Sequence, residues 1–201
     1  VAVPRVGSID RVSDEGAVVG DPTEASLVVL AAKLGIDADE TRRAYPRLAE
    51  VPFDSEYKFM ATFHRVPTDR GEQVIELVKG GPDVVLARCT TEGAVQGGSR
   101  RPIDEVRATI EAANEEMGEK GLRVLAFAAR DLDGTAMSAA LADPMAAVTD
   151  LVLVALVGIM DPLRTEARDA VRMALGAGID VRMITGDHTV TARAIADELG
   201  L

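Results

Sequence analysis

The stretch FMATFHRVPTDRGEQVIELVKGG, residues 59–81, decides the fold. Two runs of strand-forming residues, FMATFHRV and EQVIELVK, flank the turn-forming PTDRG, and the segment therefore predicts a β-hairpin. The strand-like pattern begins at Val51 and ends at Lys79, where Gly80 and Gly81 follow. Alternation along such a strand puts Lys58 and Met60 on one face. A Lys at a strand end before two glycines has two readings. It is a solvated cation ahead of a turn, or an ammonium aimed into a pocket with space cleared around it.

Toward the N-terminus lies GDPTEASLVVLAAKLG, residues 20–35. Asp21 suits a helix cap, Pro22 the first helical position, and Glu24 completes an acidic variant of the capping box. Leu27, Leu30, Ala31 and Leu34 mark one helical face, and Gly35 ends the helix. A second short helix spans about Ala38 to Tyr45. The first twenty residues read as short edge strands broken by turns.

Toward the C-terminus, Pro82 to Arg88 predicts a short helix, TTEGAVQGGSRRP a loop, Ile103 to about Lys120 a longer helix, and RVLAFAA a strand. An Ala- and Asp-rich surface stretch then runs to Thr149. The pattern changes at Leu151. LVLVALVGIM reads as a strand buried on both faces, TEARDAVRMALGAG as an amphipathic helix, VRMI as a strand, and TVTARAIADELG as a helix. This β-α-β-α alternation implies parallel strands, unlike the hairpin before it. The expected division is residues 1–150 and residues 151–201, the second being a fraction of a domain.

Composition narrows the function. Hydrophobic residues make up 47% of 201 residues, enough for a core. With 22 basic against 33 acidic residues the net charge is −11, which argues against a nucleic-acid partner. It leaves room for a nucleotide, because a few local cations hold one phosphate chain. Cys89 is the single cysteine, so no intrachain disulfide forms, and a small buried residue is its expected role. His64 and His188 lack companion ligands, and no metal site is expected from them.

Several short stretches carry possible chemistry. In RMITGDHTVTARAIA, residues 182–196, a strand delivers Thr185, Gly186 and Asp187 to a helix start. Backbone amides there, with the Thr hydroxyl, supply donors to a phosphate, although a plain helix cap is the alternative. In FDSEYKFM, Phe53 is able to stack on a base, or is a core residue. Arg123 in GLRVLAFAAR opens a strand where it would meet a phosphate, or is simply a surface residue.

Taken together, GDPTEASL, FDSEYKFM, VKGGPD, GLRVLAFAAR, IMDPLRTEAR and MITGDHTVTARAIA resemble the P-type cation-transporting ATPases, nearest to the type II, calcium-pump-like branch. The resemblance covers about Gly20 to Leu201. It implies an α+β nucleotide-binding domain, an antiparallel sheet flanked by helices, over residues 1–150. It implies part of a phosphorylation domain with a haloacid-dehalogenase-like, Rossmann-type fold over residues 151–201. In that family the first domain binds ATP, and the γ-phosphate passes to an Asp of the motif DKTGT on the second, with Mg²⁺ assisting.

The resemblance also implies roles. Phe53 matches the residue that stacks on adenine, and Lys79 lines the same pocket beside Gly80. Glu24 matches the acid near the adenine edge, and Lys58 and Met60 match the RK-x-M segment. Arg123 matches the Arg that reaches the phosphates, and Leu125 packs near the base or ribose. Thr185, Gly186 and Asp187 match the loop that receives the phosphoryl group. Asp161 and Arg164 match the DPPR element, here DPLR.

Tyr57 stands where the family often has Arg, which removes one cation, and KGAPE appears as KGGPD. No DKTGT and no GDGxND occurs in these 201 residues. The resemblance therefore implies an excised, soluble piece of a pump seated on the cytoplasmic side of a membrane. Such a piece binds ATP without turning it over. Its missing partners are the actuator, the membrane domain and the rest of the phosphorylation domain, and its uncovered strands invite an artificial dimer. The alternatives are a stand-alone nucleotide-sensing module or a degenerate pump remnant. A free-standing phosphatase would need a DxD-like nucleophile that the early chain does not supply.

Overall fold

Asp21 starts the first helix as its chemistry requires. In the computed structural model, which describes residues 21–68, 71–95, 98–160, 165–184 and 189–201, its carboxylate accepts from the amides of Thr23 (2.9 Å) and Glu24 (3.2 Å). Helix α1, Pro22–Lys33, follows, and Gly35 leaves it at φ +75°. Helix α2 is Ala38–Ala44. Strands β1 (Arg47–Val51), β2 (Phe59–Thr68) and β3 (Gly71–Gly80) come next. The remaining elements up to residue 159 are α3 (Pro82–Leu86), β4 (Cys89–Gly93), β5 (Arg100–Pro102), α4 (Ile103–Glu119), β6 (Arg123–Leu132), α5 (Gly134–Ala142), α6 (Pro144–Ala147) and β7 (Leu151–Ile159). Helices α7 (Thr165–Gly176) and α8 (Thr189–Leu199) end the chain. The first twenty residues, expected as edge strands, lie outside the described residues.

The hairpin forms as its sequence directs. β2 and β3 pair antiparallel from Phe59 opposite Gly80 out to Thr68 opposite Gly71. Asp69 and Arg70 of the connection lie outside the described residues. The sheet has seven strands in the order β1-β2-β3-β6-β7-β4-β5. The expected sheet was antiparallel, and this one is mixed. A parallel pair is β4 with β7, where Cys89 faces Leu151 and the Leu151 amide donates to the Arg88 carbonyl (3.0 Å). The stretch TTEGAVQGGSRRP, expected as a loop, supplies β4 and β5, an antiparallel pair. Their Gly and Ser content hid them, because short edge strands draw order from their neighbours and little from propensity.

The structure falls into two compact units, Val1–Arg107 with Leu125–Val157, and Ala108–Val124 with Gly158–Leu201. β7 therefore begins in the sheet of the first unit, whereas the sequence pattern assigned residues 151–160 to the second piece. An apolar run reports burial and is silent about which sheet buries it. Burial itself is partial. Leu151, Val152 and Leu153 are in the core, and Val154 is half-exposed. The Ala- and Asp-rich stretch before β7 is helical, with Ala140 and Val148 buried.

In the first unit, Phe59, Ala61, Phe63, Val74, Val78, Ala126 and Ala128 form the tightest part of the core. One ion pair sits among them. Glu76, fully buried on β3, accepts from Arg130 Nε (3.1 Å), which is opposite it on β6. Arg130 also donates through Nη2 to the Ala147 carbonyl. Burial raises the Glu76 carboxyl to about 7, and the Arg130 charge and hydrogen bond limit the rise. Its Oε1 has no partner among the described residues.

On the α1 side the unit holds an apolar cavity of about 510 Å³, lined by residues such as Leu27, Leu34, Ile75, Phe127 and Val154. Cys89 is buried, and burial pushes its thiol up to about 11, as suits a structural residue.

In the second unit α7 and α8 are joined by an ion pair between Arg168 and Glu198. VRMI, expected as a strand, is irregular at residues 181–184. A strand needs a neighbour to satisfy its amides and carbonyls, and none pairs with this segment among the described residues. Met173, Ile179 and Ile184 are exposed.

Candidate nucleotide site

Register brings distant blocks of sequence to one end of the sheet. β1 finishes at Val51, β2 begins at Phe59 opposite Gly80, and Met60 faces Lys79. Gly80 also faces Ala126 of β6, so Leu125 lies one residue beyond that pair. Phe53, Lys58, Met60, Lys79, Gly80 and Leu125 thus share one edge of the first unit. Glu24 reaches it from α1, where its carboxylate accepts from Lys79 Nζ.

That pair defines the electrostatics. Lys79 is 6% exposed, and burial lowers its affinity for a proton. The hydrogen bond and charge of Glu24, and the charge of Asp21, pull it back. The reading of Lys79 as a solvated cation before a turn is thereby replaced. It is a seated ammonium with a carboxylate beside it.

Lys58 departs from the expected alternation. It precedes the strand and takes φ +55°, a left-handed conformation unusual for a residue other than glycine. Its side chain is therefore exposed, 4.0 Å from Asp83, while Met60 is buried. Its carbonyl turns toward β3 and accepts from the Gly81 amide (3.0 Å). Gly80 makes this approach possible. A Cβ there would stand 2.5 Å from the Lys58 oxygen and 2.7 Å from Phe59 Cβ.

Phe53 is 56% exposed, on the connection between β1 and β2. Its reading as a core residue is replaced by that of an open ring. Leu125 is half-buried. Arg123 opens β6 and belongs to the second unit. Asp161, Arg164, Thr185, Gly186 and Asp187 lie outside the described residues.

Two features were not read from the sequence. Arg88 places its guanidinium 4.6 Å from the Phe59 ring centre, a cation–π contact. Tyr57, noted only as a lost cation, donates its hydroxyl to the Pro52 carbonyl (3.0 Å). The aromatic spacing at 53, 57 and 59 was the available signal. Met60 and Lys79 also line the apolar cavity, whereas Phe53, Lys58 and Glu24 do not. Among the described residues no group of three His, Cys, Asp or Glu stands together as a metal seat.

This end of the sheet thus carries a buried, paired ammonium, and the connection into β2 carries an exposed aromatic ring. The sequence model of the P-type ATPase cytoplasmic domain N matches residues 7–166, and the chain belongs to this family. Calcium-transporting ATPase 1 of Lactococcus lactis is 40% identical over 189 residues, 94% of this chain and 20% of that protein. Cation-transporting ATPase pma1 of Synechocystis is 39% identical over 193 residues, 96% of this chain and 20% of that protein. Calcium-transporting ATPase type 2C member 1 of Pongo abelii is 37% identical over 194 residues, 96% of this chain and 19% of that protein. The chain spans about a fifth of the length of these curated relatives. No helix among the described residues is long and apolar enough to cross a membrane.

Proposed function

We propose that the chain binds ATP through its adenine ring, as the nucleotide-holding part of an ATP-driven cation pump on the cytoplasmic side of a membrane. The observation that carries this reading is the buried Lys79–Glu24 pair at the sheet end that also presents the exposed Phe53 ring. Phe53 stacks on the base. Glu24 accepts from an exocyclic amine while Lys79 donates to a ring nitrogen. Leu125 packs near the base or ribose, and Lys58 supplies charge for the phosphates; the resemblance gives Arg123 a phosphate contact as well. A stacked base contributes about 1–3 kcal/mol. After association costs the Kd is roughly 0.1–1 mM, weak enough to release ADP.

In calorimetric titration of the chain with ATP, Phe53→Ala and Lys79→Ala are each expected to weaken binding several-fold while far-UV circular dichroism stays unchanged. Unaltered affinity in both variants defeats the assignment.

In the parent protein the γ-phosphoryl group leaves ADP and bonds to an Asp of a DKTGT motif, and Thr185, Gly186 and Asp187 belong to the loop that faces it there. Asp161 belongs to the hinge side of that phosphorylation domain, which has the dehalogenase-like fold. On this reading residues 1–150 are the nucleotide-binding part and residues 151–201 a fraction of the phosphorylation domain. Mg²⁺ accompanies the phosphates. The other pump domains are the natural partners of this chain, and exposed apolar residues such as Ile184 are where a second copy would pair in their absence. The 201 residues contain no DKTGT, so incubation with γ-labelled ATP is expected to leave the protein unlabelled. Label that survives acid precipitation overturns the missing-nucleophile argument. The transported ion is a cation, with calcium favoured by the names of two of the relatives above.

A further inference from the structure

The connection from Pro52 to Lys58 leaves β1, carries Phe53 into solvent and enters β2. A loop that must become ordered on binding loses affinity to that ordering. This loop is ordered beforehand. The Glu56 amide donates to Asp54 Oδ1 (2.7 Å), the Lys58 amide to the Asp54 carbonyl (2.8 Å), and the Gly81 amide to the Lys58 carbonyl (3.0 Å). These bonds fix the second half of the loop, and none of them reaches the peptide between Pro52 and Phe53.

The tie to that peptide is Tyr57. Its hydroxyl donates to the Pro52 carbonyl at 3.0 Å and closes the loop across its base. The Tyr57 ring is held in turn, with its centre 5.0 Å from that of Phe59 at an angle of 51°. Phe59 is fully buried and carries the Arg88 guanidinium over its ring, and Arg88 donates to the Val84 carbonyl (2.9 Å). A continuous path therefore runs from the β2–β3 core, through one phenol, to the peptide unit that bears Phe53.

We infer that Tyr57 is a positioning residue for Phe53, holding that ring ready for an adenine base. The inference rests on the nucleotide reading above and adds to it. Where the resemblance records a lost cation, the structure gives position 57 a different task, trading direct charge for a preset stacking surface.

The chain contains no Trp, so Phe53→Trp introduces a single indole at the proposed stacking position. Adding Tyr57→Phe removes one hydroxyl and keeps the ring. The double variant is expected to show lower indole fluorescence anisotropy than Phe53→Trp alone, and its ATP quenching half-point is expected to rise about 3–10-fold, the range of one lost hydrogen bond. A merely structural role would lower the thermal midpoint and leave anisotropy and half-point where they were.

Normal quenching with unchanged anisotropy and half-point overturns the Tyr57 assignment and leaves the nucleotide reading standing. An indole in Phe53→Trp that ignores ATP to several times the Kd range above overturns the nucleotide reading, and this inference with it. If the double variant does not fold, Tyr57→Phe alone is titrated with ATP by calorimetry. The same weakening supports the role, and an unchanged Kd rejects it.

Discussion

Gly80→Ala is expected to destabilise the first unit by about 3 kcal/mol, although it adds a single methyl group. The new Cβ would stand 2.5 Å from the Lys58 carbonyl oxygen, 2.7 Å from Phe59 Cβ and 2.8 Å from Phe59 Cα. No side-chain rotation relieves contacts with backbone, so β2 and β3 must separate. Separation breaks the bond from the Gly81 amide to the Lys58 carbonyl and shifts fully buried Phe59. For a protein of this size the thermal midpoint is expected to fall by about 10 °C. Gly118→Ala is the control. It lies within α4, nothing stands within 4 Å of its added Cβ, and the change is expected to stabilise by about 0.5–1 kcal/mol. Equal midpoints for the two variants would refute the close-approach argument. On the proposed nucleotide reading, ATP affinity should fall with the Gly80 change alone, because the Lys58 loop is set by that contact.

The second large effect concerns the buried pair on β3 and β6. Arg130→Ala leaves Glu76 without its partner and the Ala147 carbonyl without its donor. Breaking a buried pair at one side costs about 3–5 kcal/mol. The cost depends on pH with a definite sign. The folded-state pKa of Glu76 is raised from 4.5 to about 7. The stability linked to its bound proton is therefore fully present below about 4.5 and is lost as pH rises through about 7.

Removing Arg130 takes away what restrains that rise, so the loss should be greater at pH 8 than at pH 5. Denaturant melts at both values check this. A penalty independent of pH would mean that Glu76 is not the group responsible. Glu76→Gln should flatten the pH dependence of the wild-type chain over the same interval. Replacing both residues by Leu should be far milder than Arg130→Ala, because two matched apolar groups leave no unpaired charge.

The hairpin, α1 with its Asp21 cap and the helix from Ile103 were legible because each is specified within a few neighbouring residues. Alternation, a capping carboxylate and a 3.6-residue period are local signals. The family's motif order singled out Phe53, Lys79 and Glu24 as candidates, and the fold brings Lys79 and Glu24 into contact. β4 and β5 were not legible. Their stretch reads as loop, and it is extended only because β7 arrives beside it from sixty residues away in sequence.

The sequence by itself determined that a hairpin ends in a lysine and two glycines, that a capped helix carries Glu24, and that the chain belongs to the P-type ATPase domain N family. Tertiary structure decided what those residues do. It buried Lys79 against Glu24, turned Lys58 outward by a left-handed backbone, and made Tyr57 the tie that holds the loop of Phe53. The reason is physical. Local periodicity fixes which face a side chain takes within its own element, while burial, ion pairing and close backbone approach depend on register between elements, and register is settled only when the sheet is assembled.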